Sequence, residues 1–158
     1  MGRRGLTVGV PLAVVGCISS VNLLDTRGSG TARCYRIDYE TLWPIVEESV
    51  RWVGLMIESA HEENGFILAR SYEPEVEDPE DMALDADQGE NVAVFVEPEG
   101  EDVYAVEVVS RSRFPLDPTP RDWTDALFLA FEDRLPAAAS APSDDLAACA
   151  RVRGLSGR

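Results

Sequence analysis

The sequence contains no lysine and a single histidine, so two common kinds of catalytic side chain are absent or nearly absent. All 14 basic residues are arginines. Without lysine, neither a Schiff base nor a general-base lysine is available. A serine–histidine–aspartate relay or a histidine-rich metal site would depend entirely on His61. No nucleophile, base and orienting group occur together, and we therefore expect no enzyme activity, no metal site and no bound cofactor.

Positive charge and long apolar runs are also scarce. The 14 arginines face 29 acidic residues, which gives a net charge of −15 over 158 residues. A field of that sign repels phosphate groups, so we expect no binding to nucleic acid. The apolar run Leu6–Gly16 is shorter than the roughly 20 residues that a membrane-spanning helix needs. The length and composition predict one folded domain.

The N-terminal residues show the most specific pattern in the chain. Arg3 and Arg4 precede the apolar run, and Cys17 follows it. This order is typical of a secretory signal peptide, here residues 1–16. The stretch Val14–Cys17 resembles the lipobox of bacterial lipoproteins. The resemblance implies cleavage between Gly16 and Cys17 and a covalent lipid on the Cys17 thiol. The alternative is an internal strand of a cytosolic protein with an ordinary cysteine.

A lipid on Cys17 would place the chain in the bacterial cell envelope, facing the periplasm. Acyl chains contribute about 0.8 kcal/mol per buried CH₂ group, and two or more chains hold a protein stably on a membrane. Ile18 stands where enterobacterial lipoproteins retained in the inner membrane have aspartate, which favours the outer membrane. Residues 17–30 are rich in glycine and serine, and they predict a flexible tether.

Residues 31–135 are predicted to form one α+β domain in the order β-α-β-β-β-β-α, an antiparallel sheet with two helices packed on one face as in a helix-grip fold. The predicted elements are strand Thr31–Asp38, a helix from a cap at Asp38 or Thr41 to Gly54, hairpin Met56–His61 with Phe66–Tyr72, hairpin Asn91–Glu97 with Val103–Ser112, and a helix from Thr119 to Leu135.

Two segments lie outside these elements. Residues 73–90 are acidic and predict a mobile loop, and residues 136–158 predict a disordered tail rich in alanine, proline and serine. Cys34 and Cys149 could form a disulfide bond if the chain is exported. Otherwise Cys34 is a small residue of a strand.

Three pairs of side chains are candidates for binding. Phe128 and Leu129 lie off the apolar stripe of the second helix, and if exposed they would form a patch for a partner protein. Trp43 and Trp52 flank the apolar arc of the first helix and are either core edges or partner contacts. Arg111 and Arg113 share one side of a strand, where they could hold a carboxylate of a partner or pair with the protein's own acidic residues.

The order of segments resembles the helix-grip lipoproteins related to BamC of the outer-membrane β-barrel assembly machinery. The similarity covers residues 17–135 and is carried by the lipobox, Tyr39–Trp43, Ile57–Ala60, Gly65–Ile67 and Asp122–Trp123. It implies a non-catalytic accessory or scaffold protein that binds an envelope protein, and it does not define an oligomeric state.

The sequence therefore supports a leading function and an alternative. The leading one is a lipid-anchored envelope lipoprotein that works by binding another protein, and the resemblance implies a role in envelope or outer-membrane assembly. The alternative is a module for a small apolar ligand, with a cavity between sheet and helix lined by Val46, Val94, Val106 or Trp123.

Overall fold

The computed structural model describes residues 23–71, 89–113 and 121–139. Its α+β class and its order of elements match the prediction. The elements are β1 (Thr31–Arg36), α1 (Tyr39–Trp52), β2 (Leu55–His61), β3 (Phe66–Ser71), β4 (Glu90–Gly100), β5 (Val103–Ser112) and α2 (Thr124–Glu132). The signal peptide, Cys17, residues 73–88 and the tail beyond residue 139 lie outside the described residues.

The five strands form one antiparallel sheet in the order β1-β5-β4-β3-β2. The β2–β3 hairpin closes at Gly65, whose φ of 63° is left-handed as the Asn-Gly pair predicts. In the β4–β5 hairpin, Val94 lies opposite Val108 and Val96 lies opposite Val106. These valines share one face of the sheet, and β4 lies at the centre of the sheet.

Helix α1 begins and ends as the sequence indicates. The Asp38 carboxylate accepts a hydrogen bond from the Thr41 backbone N–H at 2.8 Å, so Asp38 is the N-cap. With Asp38 as the cap, Pro44 is the sixth residue inside the helix, so its missing N–H costs the helical hydrogen bond to the Glu40 carbonyl. Gly54 follows the helix with a φ of 90°. The buried side of α1 carries Val46 and Val50.

Both helices pack on the same side of the sheet, which we call the helix face. One cluster of buried side chains joins α1, α2 and the inward residues of the strands. The two helices also meet directly, because the Ser49 hydroxyl donates to the Ala130 carbonyl at 3.2 Å. The sheet and the helix pair therefore enclose the main core.

The opposite side of the sheet, which we call the back face, is covered at its centre by residues 23–30, the crossing segment. Leu23 is only 1% exposed and packs in a second apolar cluster with Leu68, Ala93, Phe95 and Val109. The Glu107 carboxylate, fully buried, accepts hydrogen bonds from the backbone N–H groups of Gly28 at 2.9 Å and Gly30 at 2.7 Å. The prediction that all of residues 17–30 form a flexible tether is therefore wrong for residues 23–30.

Helix α2 starts later than the sequence predicts. Residues 121–123 are not helical, and the helix begins at Thr124, whose N–H is bonded to the Asp122 carboxylate. The reason is a competing contact: the buried Glu90 carboxylate accepts from the Arg121 backbone N–H and from the Trp123 indole. Glu90 is thus the first residue of β4 and not part of an acidic loop.

Candidate functional site

The most exposed large apolar side chains of the described residues lie on the helix pair. Trp52 is 73% exposed at the end of α1, and Leu129 is 64% exposed on α2. The Arg134 guanidinium lies 4.7 Å from the centroid of the Trp52 ring. We call Trp52, Leu129 and Arg134 the helix-pair surface. The prediction that Leu129 points away from the core is confirmed.

The packing of the two helices brings these side chains to the outside. Ser49, three residues before Trp52, contacts the Ala130 carbonyl, so the last turn of α1 lies beside the second half of α2. Arg134 is held there by a hydrogen bond of 2.9 Å to the same carbonyl. The Arg134 guanidinium stacks on the Trp52 ring and orients it, while most of the ring stays exposed.

Two of the predicted partner-binding residues are buried instead. Phe128 has no exposed surface, because α2 lies close to β1 as well as to α1. The Arg33 guanidinium of β1 covers its ring at 4.3 Å, and Phe131 meets it edge-on at 5.9 Å. Trp43 is only 5% exposed and packs against Tyr39. The prediction of an exposed patch at Phe128 is therefore wrong, and Trp43 is a core residue.

The two arginines proposed to bind an anion lie at the end of β5. Arg111 is exposed and donates to the Ser29 hydroxyl at 3.3 Å. An open polar groove of about 200 Å³ beside it also contains Asp122 and Thr124. Arg113 follows the last residue of β5, and its backbone N–H is bonded to Gly89. Anion binding by Arg111 and Arg113 stays a prediction, and the Asp122 carboxylate in the groove opposes it.

His61 and Cys34 complete the placement of reactive side chains. His61 is exposed and packs against the Phe66 ring at 4.7 Å. Within the described ranges, no group of three or more histidine, cysteine, aspartate or glutamate side chains is placed to hold a metal ion. Cys34 is disulfide-bonded. The other two cysteines of the sequence, Cys17 and Cys149, both lie outside the described residues.

The cavity expected for an apolar ligand is not formed by the side chains proposed for it. Val46, Val94 and Val106 have no accessible surface, and Trp123 is only 5% exposed. An open groove of about 520 Å³ lies instead at the end of the sheet, where the rings of Tyr39 and Tyr104 are 5.4 Å apart. Sequence reasoning missed this groove because several segments far apart in the chain form it.

No family model matches the sequence, and no curated protein matches it. In the part of the chain that the structure describes, no helix has both the length and the apolar character needed to cross a bilayer.

Proposed function

We propose that the chain is a lipid-anchored protein of the bacterial envelope that works without catalysis by binding a partner protein through the helix-pair surface. The observation that carries the binding proposal is the exposed Trp52 ring held by Arg134, next to the helix that carries Leu129. Tryptophan and arginine are the residues that most often dominate protein interfaces.

Two features support export and anchoring. The residues before Cys17 resemble a lipobox signal peptide. The disulfide bond of Cys34 fits an oxidising compartment outside the cytosol. The anchor requires Cys149 to be the partner of Cys34, because a lipid-bearing Cys17 has no thiol to offer. A role in envelope assembly follows only from the resemblance to lipoproteins related to BamC.

Site-specific photo-cross-linking in living cells tests the binding proposal. A photoreactive amino acid in place of Trp52 is expected to give one discrete protein adduct, and Leu129→Glu is expected to abolish it. The matched control carries the photoreactive group in place of Met56, which is 40% exposed on the back face. Equal adducts from both positions, or none from position 52, would refute a partner on the helix-pair surface.

The strength of the interaction gives a second readout once the adduct is identified. Truncating an interface tryptophan costs about 2 kcal/mol or more. Trp52→Ala is therefore expected to weaken the purified complex at least about 30-fold. Met56→Ala should leave the affinity unchanged.

The groove at Tyr39 and Tyr104 favours a second candidate, a module for a small apolar ligand. The apolar dye Nile red is a suitable probe for it. If this candidate holds, the dye brightens with the wild-type chain, and Tyr104→Ser removes the effect while Leu129→Ser does not.

A further inference from the structure

We infer that the back face of the sheet lies against the membrane surface and that the helix-pair surface points away from it. This inference rests on the proposed lipid anchor at Cys17. It concerns the face that meets the lipid headgroups, which the anchor alone does not define.

The first argument is the length of chain between the anchor and the folded domain. Leu23 is buried at the centre of the back face, and five residues separate it from Cys17. Even fully extended, the six steps from Cys17 to Leu23 span about 20 Å. The centre of the back face is therefore held within about 20 Å of the lipid.

The reach of this link excludes the opposite orientation. From Leu23 the chain would have to pass two strands, about 10 Å, to reach the sheet edge. It would then cross the thickness of the sheet and the helix layer, about 20 Å more. The total of about 30 Å exceeds the length available, so the helix-pair surface does not reach the membrane.

The charge distribution favours the back face over an edge of the sheet. The described residues contain 9 arginines and 18 acidic residues. Four of these arginines belong to the back face or the crossing segment: Arg27, Arg36, Arg70 and Arg111.

Three acidic residues on this side are engaged, whereas Asp25 of the crossing segment is exposed. Glu97 and Glu58 pair with Arg27 at 3.2 Å and with Arg70 at 3.5 Å, and Glu107 is buried under the crossing segment. Anionic headgroups are therefore repelled least from the back face.

One exposed apolar side chain also indicates that the back face meets the membrane. Met56 lies opposite Arg70 in the β2–β3 ladder and shares its face. A methionine beside arginines suits the boundary between headgroups and acyl chains, where apolar and cationic groups both find partners.

Tryptophan quenching by lipid tests the orientation, because Trp52 and Met56 lie on opposite sides of the molecule. The lipidated protein, expressed with its native N-terminus, is reconstituted into vesicles of phosphatidylglycerol and phosphatidylethanolamine. Phosphatidylcholine with a nitroxide on its headgroup serves as the quencher. The emission of Trp52 is measured as the difference between the wild type and Trp52→Phe, and it is expected to be unchanged by the quencher.

The back face is probed in the Trp52→Phe background. The emission added by Met56→Trp is expected to be lost in the nitroxide vesicles. Phe66→Trp, a conservative change on the same face, serves as a second probe if the first variant does not fold. Quenching of Trp52, or unquenched emission from both back-face probes in vesicle-bound protein, overturns the orientation. If the proposed anchor itself is wrong, the protein does not float with the vesicles, and this outcome is distinct.

Discussion

The buried Glu107 carboxylate gives the sharpest test of how the crossing segment is held. It accepts two backbone hydrogen bonds, at 2.9 Å from Gly28 and at 2.7 Å from Gly30. Glu107→Gln removes the charge and turns an N–H₂ group towards one of these donors. Hydrogen bonds to a charged group contribute about 1.5–3 kcal/mol each. One bond is lost and the other is weakened, so we expect a loss of about 3 kcal/mol in the free energy of unfolding.

This loss is large for a domain of the present size. At roughly 4 °C per kcal/mol, it corresponds to a fall in Tm of about 12 °C. Urea denaturation followed by circular dichroism measures the free energy, and amide exchange at Gly28 and Gly30 reports whether the crossing segment loosens. The matched control is Glu47→Gln, which breaks only the surface pair with Arg51 and should cost about 0.5 kcal/mol or less. Equal stability of Glu107→Gln and the wild type would refute the reasoning.

Three further predictions concern packing and ionisation. Phe128→Ala removes a fully buried ring and should cost about 3–5 kcal/mol in urea denaturation, whereas Leu129→Ala on the same helix should stay within about 0.5 kcal/mol. A Cβ at Gly30 would lie 2.2 Å from the Val108 carbonyl oxygen, and one at Gly100 would meet nothing within 4 Å. Gly30→Ala should therefore lower Tm clearly, while Gly100→Ala should not. Burial, then the charge of Glu132, raises the pKa of the Tyr35 phenol. The raised pKa stabilises the folded state fully below the unfolded pKa of about 10, and this stabilisation is lost as the pH rises above that value. The urea midpoint of Tyr35→Phe should therefore fall less steeply in alkali than that of the wild type.

The local elements were predictable because local chemistry defines them. Asp38 has a short side chain that accepts hydrogen bonds, and it precedes the apolar stripe of α1. Residues of this kind are common N-caps, and Asp38 is the N-cap of α1. The Asn64-Gly65 pair marks the β2–β3 turn because glycine accepts a positive φ. The alternating valines of β4 define the helix face, and their pairing with β5 follows.

What the sequence did not reveal depends on contacts between distant segments. The crossing segment reads as a spacer because its glycines and serines hide the anchoring role of Leu23, which depends on cluster residues such as Phe95. One signal was available: the unbroken apolar run from Val92 to Val96 is typical of a strand covered on both faces.

The start of α2 and the burial of Phe128 also depend on contacts between distant segments. The turn chemistry at Thr119 and Pro120 predicts an earlier start, and the tertiary bond between Glu90 and Trp123 overrides it. Phe128 lies off the helical stripe, but the sequence does not show that β1 brings Arg33 over its ring. The helix-pair surface was predicted in part. Trp52 and Leu129 were candidates from the sequence and are exposed, whereas Arg134 was not considered.

The intact mass of the protein expressed with its native N-terminus and extracted from the membrane, measured without reduction and after alkylation of free thiols, tests the proposed anchor most directly. We expect a mass that lacks residues 1–16, carries acyl chains and shows no alkylated cysteine, because Cys34 and Cys149 are bonded. The Cys17→Ala variant should lose the acyl mass. A full-length, unlipidated chain, or a disulfide bond between Cys17 and Cys34, would contradict the account.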